Sequence, residues 1–230
     1  MPGLTAKVFR TYNASYTMSK LLQELDEKAN LSPLEKIKLY NDCNRKVAIL
    51  CNHKRTVGAG HEAQMKKLGD QIKGLKYQKW RTKMMILDMD PKQKKKLGAE
   101  YFELDADIDE DWVREHQAFL VEEQKNKITK KFEKDNEKRV ADGEKPMPDK
   151  ELKEKLEVAD ELEAKFKKEN KTKKVAAEGK GPTVEKFLAA IAKQEDRIRN
   201  LELQSQDREG NKEVALGTSK IVSDALPALD

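Results

Sequence analysis

Aromatic residues are scarce in this 230-residue chain, at 6%, and the hydrophobic fraction is only 37%. A chain so lean cannot fill one large core, so much of it must be solvated. Cysteine is almost absent as well. Cys43 and Cys51 stand eight residues apart in a helical pattern without a further pair, which excludes a disulfide framework and a zinc site and fits a reducing compartment. No apolar run reaches the roughly 18 residues of a membrane span, and no charged segment followed by an apolar one resembles a secretory signal.

What is abundant is charge of both signs, 47 basic against 42 acidic residues, together 39% of the chain. That balance suits long surface helices and coiled coils better than a compact enzyme. The net charge of +5 leans toward nucleic acid, although mixed Lys/Glu helices are more often simply solvated.

Apolar residues are dense only up to about residue 57. After a run of ambiguous type around Ala6, Val8 and Phe9, Thr17 precedes a helical stripe of Met18, Leu21, Leu22 and Leu25. Ser32-Pro33-Leu34-Glu35 announces a second helix, with an N-cap serine, proline at the first helical position and glutamate closing a capping box. Its expected buried face runs Leu34, Ile37, Tyr40, Asn44, Val47, Ala48 and Cys51. Beyond Gly58 and Gly60, Met65, Leu68, Ile72 and Leu75 form a narrow heptad-like seam. Further helices are expected from Asp109 to Val140 and from Asp149 through Leu152, Leu156, Leu162 and Phe166. A last one starts at Thr183 and carries Phe187, Ile191, Ile198 and Leu201. Narrow seams need a partner helix, and the simplest arrangement runs residues 62–87 antiparallel to 184–206. The expected fold class is mainly α, a small helical part followed by a long antiparallel coiled-coil arm.

Arg10 and His53 alone stand out chemically, each in a dense, apolar-flanked segment; His61 and His116, in the charged region, read as solvated. Context sharpens this. The segment Leu4-Thr5-Ala6-Lys7-Val8-Phe9-Arg10-Thr11-Tyr12-Asn13-Ala14-Ser15 resembles a signature of eukaryotic type IB topoisomerases. Val47-Ala48-Ile49-Leu50-Cys51-Asn52-His53 and Ala215-Leu216-Gly217-Thr218-Ser219-Lys220-Ile221 resemble two later blocks of the same family, in order. Tyrosine recombinases share part of this logic, but they commonly carry His-x-x-Arg where this chain has His53-Lys54-Arg55-Thr56.

The resemblance implies residues 1–57 as the C-terminal part of a catalytic core, 58–206 as a charged linker, 207–221 as the start of an active-site motif and 222–230 as a tail foreign to the family. It implies relaxation of supercoiled double-stranded DNA in the nucleus through a transient 3′-phosphotyrosine, with no cofactor and no metal. Arg10 becomes one of the arginines, and His53 the histidine, that stabilise charge on the phosphoryl oxygens. Lys66, Lys67, Lys73, Lys76 and Lys220 become candidates for DNA contact. One departure matters: Ser223 occupies the position of the nucleophilic tyrosine. The expectation is an incomplete, inactive fragment, short at both ends. The alternatives are a subunit of a split enzyme, whose partners supply the missing core and tyrosine segments, and a non-catalytic coiled-coil protein.

Overall fold

The computed structural model describes residues 4–26, 31–51, 58–178 and 181–224, with side chains in the last helix described as far as Val214. Among the described residues the chain is mainly α, with seven α-helices, one 3-10 turn and no strand. It divides into two compact units, one of residues 1–72 with 195–230, the other of residues 73–194.

In the first unit, α1 (Ala6–Asp26) begins at the run whose type the sequence left open. Helical spacing explains this: Thr11 turns its hydroxyl back to the Lys7 carbonyl at 3.0 Å. Tyr12 and Tyr16, one turn apart, stack with centroids 6.0 Å apart. Met18, Leu21 and Leu22 are half-buried, as their stripe predicts.

Helix α2 (Pro33–Leu50) starts with the full capping box: the Ser32 hydroxyl accepts the Glu35 N–H, and the Ser32 N–H donates to the Glu35 carboxylate at 2.9 Å. Its inward face differs from the expected one. Leu34, Ile37 and Tyr40 are 46%, 56% and 50% exposed, while Cys43, Arg45 and Ala48 are buried. The physical reason is that α2 meets the last helix, α7 (Val184–Asp224), through polar side chains, which turns the apolar stripe outward. The start of α3 (His61–Met89) contributes Met65 and Leu68 inward.

The second unit holds the remainder of α3, then α4 (Gln93–Leu97), the 3-10 turn Glu100–Phe102, α5 (Glu110–Ala141), α6 (Asp149–Thr172) and the start of α7. Helices α5 and α6 start where the Asp109 and Asp149 signals put them, and Asp109 caps α5 by accepting the Trp112 N–H at 2.7 Å. They pack as a hairpin, Val121 and Phe132 inward from α5, Ala159 and Phe166 inward from α6.

This charge-rich stretch builds a core of its own. Tyr77 and Ile86 are essentially fully buried, joined by Phe102, Ile108 and Val175. Filling a site with a side chain of that size stabilises by about 2–3 kcal/mol. Several polar groups inside are matched. The Tyr77 hydroxyl accepts from Gln117 at 2.7 Å, Gln117 and Asn170 exchange amide hydrogen bonds at 3.2 and 2.7 Å, and Trp80 donates to the Phe102 carbonyl at 3.1 Å. Burial raises the Tyr77 pKa. His116, expected to be solvated, is half-buried, with Trp112 stacked on it at 4.6 Å.

Candidate functional site

The most constrained polar cluster of the first unit joins α2 to α7. Arg45 is 7% exposed, because its guanidinium is consumed at short range. It pairs with Asp42 on its own helix and reaches across to the Asp207 carboxylate at 2.6 Å, the Asp207 carbonyl at 3.3 Å and the Asn211 amide oxygen at 3.4 Å. Asn41 donates to the same Asp207 at 3.2 Å, and Glu35 pairs with Arg199 further along α7. Burial works against the charge of Arg45, but hydrogen bonds to Asp207 and Asp42 outweigh it, and its pKa is raised.

Gly210 completes this clamp. A Cβ there would stand 2.9 Å from Arg45 Nε and 3.0 Å from its Cζ, so only glycine lets the guanidinium lie against α7. Where α3 begins, His61, half-buried and not solvated as expected, places Nε2 3.2 Å from the Arg208 carbonyl, and that geometry requires Nε2 to carry the proton. Arg208 also donates to Gln64 at 3.3 Å, and Lys212 pairs with Glu62 at 3.9 Å.

The residues singled out from sequence fall as follows. Arg10 is exposed on α1, and Lys66 and Lys67 are exposed in the first unit without an ion pair to any described residue. Lys73 is half-buried, and Lys76 is tied to Asp107 at 3.1 Å, both in the second unit. His53 lies outside the described residues. Lys220 and Ser223 continue the backbone of α7 beyond the last described side chain. No group of metal-ligating residues occurs among the described residues.

Sequence reasoning missed Arg45, Asp207 and Gly210. Only the exceptional glycine inside a long helical pattern signalled them, since a lone Arg–Asp pair between distant segments leaves no periodic trace.

Comparison with known proteins covers both helices of the clamp, together with α1 and most of α3. The family described as Eukaryotic DNA topoisomerase I, catalytic core, matches residues 1–86, and the C-terminal topoisomerase domain matches residues 195–223. The chain belongs to the eukaryotic DNA topoisomerase I family. DNA topoisomerase 1 of Candida albicans is 42% identical over 221 residues, covering 96% of this chain and 28% of that protein. That of Schizosaccharomyces pombe is 42% identical over 222 residues, 96% of this chain and 27% of its own length. The rat topoisomerase is 31% identical over 221 residues, 96% of this chain and 18% of that protein. The chain thus spans little more than a quarter of the first of these topoisomerases, and no solved structure matches it. In topoisomerase terms, the Arg45 clamp joins the catalytic-core match to the C-terminal match, while residues 87–194, matched by neither, all lie in the second unit.

Proposed function

We propose that the chain is the DNA-handling, tyrosine-deficient portion of a nuclear type IB topoisomerase, acting on double-stranded DNA and incapable of cutting it unaided. The observation that carries this reading is the Arg45 clamp, a buried polar contact of the kind that fixes register, between the segments matched to the core and to the C-terminal domain.

In the proposed chemistry a hydroxyl oxygen attacks the phosphorus, a P–O bond forms as the bond to the 5′ oxygen breaks, and the 5′ oxygen takes up a proton. Negative charge grows on the non-bridging oxygens. Arg10 and His53 supply donors to it, and losing one such donor costs about 3 kcal/mol, or roughly a hundredfold in rate. Ser223 cannot act as the nucleophile: its hydroxyl is shorter than the phenol by a ring, has a far higher pKa and lacks a positioned base. Phosphate contacts from Lys66, Lys67, Lys73 and Lys220 are indifferent to sequence and weaken with salt; Lys76 must first leave Asp107.

A second reading, in which further core segments dock on this chain in a split enzyme, is favoured by one observation. Val8, Phe9, Tyr12 and Tyr16 of α1, with Leu34, Ile37 and Tyr40 of α2, are all about half exposed or more. Large apolar side chains left exposed on two helices that pack on each other are of the kind that interfaces cover. The test is relaxation of supercoiled plasmid by three preparations: the chain, the chain with a family tyrosine segment grafted after Ile221, and the graft mixed with the preceding core of a fungal relative. Activity only in the last supports both readings. Activity of the unaltered chain alone refutes the first, and activity of the graft alone removes the need for further core segments.

A further inference from the structure

Between α3 and the 3-10 turn the chain reads Pro91-Lys92-Gln93-Lys94-Lys95-Lys96-Leu97. Every one of these lysines is exposed, and none makes an ion pair with a described residue. Their isolation is notable because an acidic run follows directly. Asp107 is engaged by Lys76, Asp109 caps α5, Glu110 pairs with Lys173, and Asp111 with Arg114. These four carboxylates are taken up inside the unit, and none of them pairs with the lysines of this segment.

The conformation of the segment bears on what can read it. Consecutive positions of an α-helix are rotated by about 100°, so Lys94, Lys95 and Lys96 point in three different directions from α4 and cannot all face one DNA groove. A receptor that binds an extended peptide does present a pocket to each of several successive side chains. Helix α4 is five residues long, too short to be stable by itself. It is held at its start by Asp90, which accepts the Lys92 N–H at 3.1 Å and the Gln93 amide at 2.9 Å. Lys92 and Lys96 place like charge one turn apart, which opposes the helix. Pro91 precedes the turn and Gly98, at φ +88°, ends it, so unwinding is confined to these residues.

We infer that residues 91–97 are a nuclear-import segment, read in extended form by an import receptor with an acidic peptide-binding groove. The inference rests on the proposed nuclear site of action and supplies the signal for it. Its place is the second unit, outside both segments matched to the topoisomerase family.

The test fuses the full chain to a tandem fluorescent protein too large to diffuse into the nucleus, expressed in Schizosaccharomyces pombe. The variant K94A/K95A/K96A is compared with the charge-matched K130A/K131A/K134A on α5 and with K94R/K95R/K96R. Helicity by circular dichroism confirms that each purified chain is folded, and each is titrated with a short DNA duplex at physiological salt. The expected result is nuclear accumulation of the parent, the α5 variant and the arginine variant. The K94A/K95A/K96A chain is expected to lose accumulation entirely, with duplex affinity changed less than twofold. Nuclear accumulation of K94A/K95A/K96A overturns the inference. So does joint loss of accumulation and of duplex affinity, which would assign the lysines to DNA. A chain that is imported through these lysines but binds no DNA leaves the inference standing while the topoisomerase reading fails.

Discussion

Replacing Gly210 by alanine sets two effects of known size against each other. Inside an exposed helix the change stabilises by about 1 kcal/mol, because alanine loses less backbone freedom on folding. Here the new Cβ stands 2.9 Å from Arg45 Nε, and the guanidinium cannot retreat freely, since Asp42, Asp207 and Asn211 hold it. Giving up one hydrogen bond to a charged group costs roughly 1.5–3 kcal/mol. The Asp42 and Asp207 side chains are 33% and 28% exposed, which screens the loss toward the lower end. Gly210→Ala is therefore expected to destabilise the first unit by about 1 kcal/mol. In an Arg45→Ala background the obstruction is gone, and the same change is expected to stabilise by about 1 kcal/mol. The sign reversal, a coupling near 2 kcal/mol, is read from urea unfolding by circular dichroism with hydrogen exchange at α2 amides. Equal stabilisation in both backgrounds refutes the clamp.

In the second unit, Tyr77→Phe leaves Gln117 without one of its acceptors and should cost about 1–2 kcal/mol in urea unfolding followed by tryptophan emission, whereas Tyr77→Ala should cost about 3–5 kcal/mol. Glu35 is held at a pKa of about 2, chiefly by the Ser32 N–H, then by its hydroxyl and Arg199. A folded pKa below the unfolded one means that its stabilising contribution is complete above the ordinary carboxylate range and is lost as pH falls toward 2. Exchange protection at the start of α2 should drop in that window, and Glu35→Gln should remove the pH dependence. Duplex DNA binding should weaken steeply with salt, and Lys66→Ala with Lys67→Ala should reduce the slope of log K against log salt by about 2 without changing sequence preference.

Helix starts were legible because they depend on neighbouring residues: Ser32 with Glu35, Asp109 with Trp112, and the prolines before Asp149 each act within one turn. The family signature at residues 4–15 was legible for the same reason, being contiguous. The inward face of α2 was not. Hydrophobic period points to Leu34, Ile37 and Tyr40, but a buried Arg45 facing Asp207, 162 residues away, overrides it. The core around Tyr77 escaped notice because its members are scattered over α3, the 3-10 turn, the loop before α5 and the segment after α6, between stretches covered in charge. The short α4 was hidden by its lysines, which carry no apolar period at all.

The α5–α6 hairpin has a further consequence for how this region changes over evolutionary time. Its deepest residues toward the tip are Phe132 and Ala159, and the bend between Ala141 and Asp149 carries nothing buried. Whole turns can therefore be gained or lost there by insertion or deletion while the interior of the unit stays filled, so homologous genes should differ in length at this tip before they differ anywhere in α2 or the adjoining stretch of α7.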